Sequence, residues 1–211
     1  ILLIIFDYEQ GWDFSTLTYL DFWTLAGMVR HLFFNGFHPV IPWLAFLLVG
    51  MWLGRQNVRD TKIRRRIFGW GVFAAVVAEM AAFLLSGRVS GELKVLFGTE
   101  PMPPTPFYLV AGTGTALVII ALCLELTFRY PQARIFTPFV ATGQLALTLY
   151  VAHVVVGMGI LESLGRLENQ TLPFAILSAF LFSVLAVVFS YFWRNRFRRG
   201  PLEWAMRQIT G

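Results

Sequence analysis

The chain has 211 residues, 57% hydrophobic and only 14% charged, with a mean hydropathy of +0.66. A soluble domain of this size needs a denser charged coat, so water is excluded as its main solvent. The net charge of +5 would suit nucleic acid, but the basic residues crowd between apolar runs, as in loops beside a membrane, and nucleic acid is set aside as a partner.

The apolar runs approach ~20 residues, enough to cross ~30 Å of hydrocarbon. They do not alternate, so they mean helices and not barrel strands. The expected architecture is an all-α polytopic bundle of about five full spans plus interfacial helices, forming one domain over residues 1–211. Membrane lipids are its expected surroundings. The single cysteine, Cys123, lies inside an apolar run and allows neither an intrachain disulfide nor a cysteine cluster.

In chain order, residues 1–6 (ILLIIF) read as the last turns of a truncated span. Residues 17–34 have an apolar helical pattern interrupted by Asp21, Arg30 and His31, which suits an interfacial helix. The first complete span is expected over 39–54, with Pro39 and Pro42 in its first turn. Arg55, Arg59, Lys62, Arg64, Arg65 and Arg66 follow, opposed by Asp60. The positive-inside tendency places that loop in the cytoplasm.

Further spans are expected over 67–86, 107–127, 137–161 and 173–193, and a cytoplasmic surface helix over 201–210. Alternating them puts every basic cluster on one side and the C-terminus in the cytoplasm. The setting this implies is a bacterial inner membrane.

Ionisable groups inside spans are costly and therefore informative. Glu79 lies within the second span and His153 within the fourth, while His38 opens the first. All three could face one outward-opening cavity. The plainer alternative is that each carboxyl or imidazole only bonds to a neighbouring helix. Gln144 and Thr148 lie on one side of the fourth span, with Tyr150, His153 and Gly157 near the other. Polar groups on two faces suit a helix enclosed by protein, which makes Gln144 and Tyr150 candidate substrate contacts.

Glu125 stands four residues before Arg129, a helical ion-pair spacing. Gly50-xxx-Gly54 and the stretch Ala111–Thr115 permit close helix contacts, within the chain or between copies. The three scattered histidines form no metal-site motif.

Four strings carry a family resemblance: NGFHPVIPWLAFLLVGMWLGR (35–55), PMPPTPFYLVAGTGTAL (101–117), GQLALTLYVAHVVVG (143–157) and RGPLEW (199–204). Together they resemble the C-terminal half of YeiB-type bacterial membrane proteins, a family of unknown function. That family is distantly similar to transmembrane acyltransferases of the heparan-glucosaminide N-acetyltransferase group.

The resemblance implies acyl transfer from acyl-CoA or another donor to an acceptor across the membrane. The N-terminal half of such proteins carries a D-x-x-R-G-type signature, and the true acetyltransferases add a catalytic histidine. Neither string occurs in this chain, so the implied activity rests on residues outside it.

Three functional readings follow. In an acyltransferase-like enzyme, His153 is the general base, Glu79 orients or charge-balances it, and the basic loop 55–66 attracts an anionic donor. In a transporter or lipid-handling protein, the same two groups relay protons or hold a polar substrate at the midplane. In an accessory subunit, the chain contributes no chemistry and binds other membrane subunits.

Overall fold

A computed structural model of the chain describes residues 9–13, 15, 16, 18–36, 38–167 and 170–211. The expected truncated span 1–6 lies outside the described residues. Where one domain was expected, the contacts divide the chain into two compact units, Ile1–Arg129 and Tyr130–Gly211.

The first unit opens with a hairpin. Strands β1 (Trp12–Asp13) and β2 (Thr18–Tyr19) pair antiparallel, Trp12 opposite Tyr19. Gly11, at φ +85°, supplies the left-handed conformation that leads into it. Helix α1 (Leu25–Arg30) starts where the Thr24 hydroxyl accepts from the Gly27 N–H at 3.0 Å. It widens into a π-helical turn over His31–Asn35. The stretch expected as one interfacial helix, 17–34, thus holds the strand Thr18–Tyr19 before its helical part from Leu25.

Helix α2 (Val40–Gly54) follows Pro39. Its 15 residues reach about 22 Å at helical rise, short of the ~30 Å of hydrocarbon. It reaches spanning length only together with Leu25–Asn35, from which it bends by 43°. The expected first span is thus the second limb of a broken element.

Helix α3 (Thr61–Ser86) is capped by Asp60, whose carboxylate accepts from the Lys62 N–H at 2.8 Å. A 3₁₀ segment (Gly91–Phe97) leads to α4 (Pro106–Arg129). The α4 start is held by Thr105, whose hydroxyl donates to Gly98 O at 2.6 Å and accepts from the Tyr108 N–H at 3.1 Å.

Small residues make the α3–α4 seam. Ala78 and Ala82 on α3, and Ala111 and Ala121 on α4, are buried. A Cβ on Gly114 would sit 2.6 Å from both Ala75 N and Gly71 O, and one on Gly71 would sit 2.8 Å from Gly114 O. Only glycine lets the two backbones approach this closely. Among the described residues, nothing lies within 4 Å of such a Cβ on Gly50 or Gly54.

In the second unit, the helix expected over 137–161 is broken. Helix α5 (Phe136–Gln144) ends at Leu145, whose backbone leaves the helical region at φ −110°, ψ 20°. Helix α6 (Ala146–Ala152) then continues through a π-helical turn (His153–Met158) into α7 (Gly159–Ser163). The run Ala146–Ser163 alone has spanning length. Helix α8 (Leu172–Arg196) lies against α5, and α9 (Pro201–Thr210) against α6.

Among the described residues, four helices are long and apolar enough to cross a membrane, or five if the bent pair counts as one span. The protein is a mostly helical, multi-pass membrane protein in contact with lipid.

Candidate functional site

The residues singled out from the sequence fall in both units. In the first, His38 is exposed and its ring lies 4.8 Å from that of Trp43. Glu79 is also exposed, and it accepts a hydrogen bond from Thr99 Oγ1 at 3.1 Å. That bond ties α3 to the connection leading to α4. His38 and Glu79 share no partner among the described residues.

In the second unit, His153 opens the π-helical turn and sets its ring edge-on to Phe182 at 5.5 Å. Tyr150 and His153 are both exposed. The break at Leu145 separates Gln144 from them. Thr148, expected on the Gln144 face, is engaged elsewhere, as described below.

Glu125 requires a correction. It pairs with Arg64, whose Nε donates to Oε2 at 2.7 Å. The Arg64 side chain is 6% exposed. Its other nitrogens donate to Val58 O, Arg59 O and Thr61 Oγ1, and its guanidinium lies 4.6 Å from the Phe128 ring centre. One arginine of the basic loop is therefore a structural bolt for the turn before α3.

A denser polar site forms where the hairpin meets α1. Asn35 is 2% exposed and fully engaged. Its Nδ2 donates to Gln10 O at 2.8 Å, its Oδ1 accepts from Tyr19 Oη at 2.9 Å, and its carbonyl accepts from Trp12 Nε1 at 2.6 Å. Arg30 Nε donates to Tyr19 Oη at 2.8 Å, while Arg30 Nη2 pairs with Asp21 Oδ2. The Tyr19 hydroxyl thus relays between a guanidinium and a buried amide. Asp21 Oδ1 is buried with no hydrogen-bond partner among the described residues.

His31 stands at the centre of this arrangement. Its ring is 4.7 Å from Tyr19, 5.2 Å from Phe22 and 5.7 Å from Trp12. Among the described residues, neither ring nitrogen takes a hydrogen bond. The outcome is an imidazole boxed by aromatic rings, beside a charge-assisted network. It begins the π-helical turn, a local widening that often accompanies functional sites. The sequence carried a hint in the interruption by Asp21, Arg30 and His31. What it lacked was the hairpin that brings Trp12 and Tyr19 back over them.

The RGPLEW string has its own geometry. The Glu203 carboxylate accepts from the Thr148 N–H at 3.0 Å and from the Thr148 hydroxyl, and the Leu202 N–H donates to Thr148 Oγ1 at 3.2 Å. A carboxylate from 55 residues away therefore caps the first turn of α6. Burial pushes the Glu203 pKa up, but the hydrogen bonds from Thr148 outweigh it and the net direction is down. A Cβ on Gly200 would meet that carboxylate and the Thr148 hydroxyl, so the bare glycine leaves the clamp its room. Among the described residues, no three His, Cys, Asp or Glu side chains converge as a metal site needs.

Residues 51–211 match a family described as proteins of unknown function, DUF418. The chain belongs to the DUF418 family. The YeiB-type resemblance is consistent with this membership. The DUF418 chain is also 25% identical over 190 residues to the uncharacterized protein YxaH of Bacillus subtilis (strain 168). That match covers 87% of the chain and 43% of YxaH, so the chain spans less than half the length of this relative. No solved structure matches the DUF418 chain. Gly200, Glu203 and Thr148 lie inside the family match, whereas the His31 cluster precedes it.

Proposed function

We propose that this protein is an acyltransferase-like membrane enzyme, moving an acyl group from an activated donor such as acyl-CoA to a hydroxyl or amine acceptor. The reading is supported most by the environment of His31: an imidazole held by three aromatic rings beside the Arg30–Tyr19–Asn35 network. An imidazole kept neutral has a ring nitrogen able to accept a proton.

In the proposed step, His31 removes the acceptor's proton as its oxygen or nitrogen attacks the acyl carbonyl carbon. The carbon–sulfur bond of the thioester breaks, and the imidazolium returns the proton to the departing thiolate. Arg30 and Asn35 hold the Tyr19 hydroxyl in place beside the base.

His153 is the competing base. It lies on a spanning helix with Phe182 as its neighbour. Glu79 uses Oε2 to accept from Thr99, and its Oε1 keeps the capacity to orient a base. In the proposed topology the loop 55–66 and the C-terminus face the cytoplasm of a bacterial inner membrane.

The test is transfer of label from acyl-CoA to a lipid or polar acceptor pool by the full-length protein in proteoliposomes. His31→Ala is expected to lower turnover about 10²-fold or more, and His153→Ala to change it little. The reverse result would move the base to His153, and full turnover in both variants would end the enzymatic reading. A transporter is the second reading, favoured by the interruptions at Gly36–Pro39 and at Leu145, since broken helices line polar sites in transporters. Proton-coupled uptake in the same proteoliposomes, without label transfer, would establish it.

A further inference from the structure

The end of α8, the turn after it and α9 enclose a cleft of about 640 Å³. Gln144, Arg194, Arg198, Arg199, Glu203 and Arg207 line it. Four guanidiniums face one carboxylate, and that carboxylate is already committed to Thr148. Arg194 gives a single long bond, 3.4 Å, to Phe197 O. Among the described residues, the side chains of Arg198, Arg199 and Arg207 have neither an ion pair nor a hydrogen bond.

A second cleft of about 540 Å³ adjoins it and shares Arg198 and Arg199. Its other walls include Trp193, Phe197 and Trp204. The turn carrying the shared arginines is not free to rearrange. Trp193 Nε1 donates to Arg199 O at 2.9 Å, the Trp193 and Phe197 rings lie 4.4 Å apart, and the Glu203–Thr148 clamp fixes Gly200. Positive-inside topology explains why arginines are numerous at a helix end. It does not explain why they share a preformed concavity with a neutralising carboxylate turned aside.

We propose that this double cleft binds a phosphate ester, with the phosphate between Arg198, Arg199, Arg194 and Arg207 and its organic substituent against Trp193, Phe197 and Trp204. Guanidinium forks match phosphate oxygens in pairs, and aromatic walls suit an apolar or planar substituent. Such a group can belong to an anionic lipid or to a soluble diphosphate ester, whose charged end inorganic pyrophosphate mimics. The site stands independently of the His31 reading, because it uses none of the same residues.

The experiment uses the full-length protein in phosphatidylcholine nanodiscs. One arm titrates inorganic pyrophosphate and reads tryptophan fluorescence. The other replaces part of the lipid with phosphatidic acid and counts retained lipid by native mass spectrometry. Saturable binding is expected in one arm or both, and the responding arm identifies the source.

Arg198→Gln with Arg199→Gln should weaken binding about tenfold or more, and the double Lys variant, which keeps charge but loses the fork, should fall between. Arg88→Gln with Lys94→Gln, at exposed basic residues outside both clefts, should leave binding unchanged. Absence of saturable binding, full binding by the double Gln variant, or equal weakening by the Arg88/Lys94 pair would overturn the proposal.

Discussion

Helices α3 and α4 of the first unit and the runs Ala146–Ser163 and α8 of the second are all apolar enough to span a membrane, yet they bury themselves differently. The most apolar windows of α3 and α4 are 22% and 17% buried, and those of the other two are 0% buried. Apolarity does not set the difference, because lipid satisfies a leucine or phenylalanine as well as a protein neighbour does. The difference is the Gly71–Gly114 approach, where two backbones come close enough for extensive van der Waals contact. At Gly143 and Gly159, by contrast, no backbone among the described residues comes within 4 Å of an added Cβ. Membrane helices associate where they are small, and face lipid where they are merely greasy.

The sharpest way to break this comparison is Gly114→Leu. Its side chain must push α3 away, costing about 3 kcal/mol by the scale of overpacked cores. Gly159→Ala on the second unit's spanning run should change stability by under ~1 kcal/mol and in the stabilising direction. Reversible unfolding in mixed micelles would measure both. Equal effects would dissolve the distinction between seam and lipid-facing helix.

The next effect concerns the polar bolt of the first unit. Arg64→Ala strands two loop carbonyls and the Glu125 carboxylate. Glu125 is 44% exposed and can recover some hydration, so the loss should be about 2 kcal/mol, below that of a fully buried pair. Arg65→Ala, at an exposed neighbour, should stay within ~0.5 kcal/mol. A double-mutant cycle between Arg64 and Glu125 would isolate the pair term.

The smallest effect belongs to the polar clamp of the second unit. Glu203→Gln should cost about 1 kcal/mol. Its pH signature is more telling than its size. The folded pKa of Glu203 is depressed below its ordinary value. The clamp therefore contributes in full above the unfolded value and is lost as pH falls through the folded one. Thermal unfolding in detergent should show that acid-side loss in the natural protein and a flatter profile in the variant.

Much of the fold was legible because the spanning runs announce themselves by length and composition. The breaks were less so. Leu145 carries no proline or glycine signature of its own, and the α6 start is completed by Glu203 from another helix. Glu125 misled for a related reason: Arg129 sits at the favoured local spacing, but Arg64, 61 residues away, takes the carboxylate. The His31 site was visible as an interruption of an apolar pattern, but not as a network. Its aromatic box draws on Trp12 and Tyr19, which only a hairpin returns to α1.

What the sequence determined by itself was the solvent and the class of structure. Backbone hydrogen bonds cannot go unmet in hydrocarbon, so long apolar runs have only the helix open to them. The tertiary structure decided which glycines become a seam, which carboxylate meets which arginine and which histidine acquires a built surrounding. Those outcomes depend on distances between segments far apart in the chain, and local spacing carries no information about them.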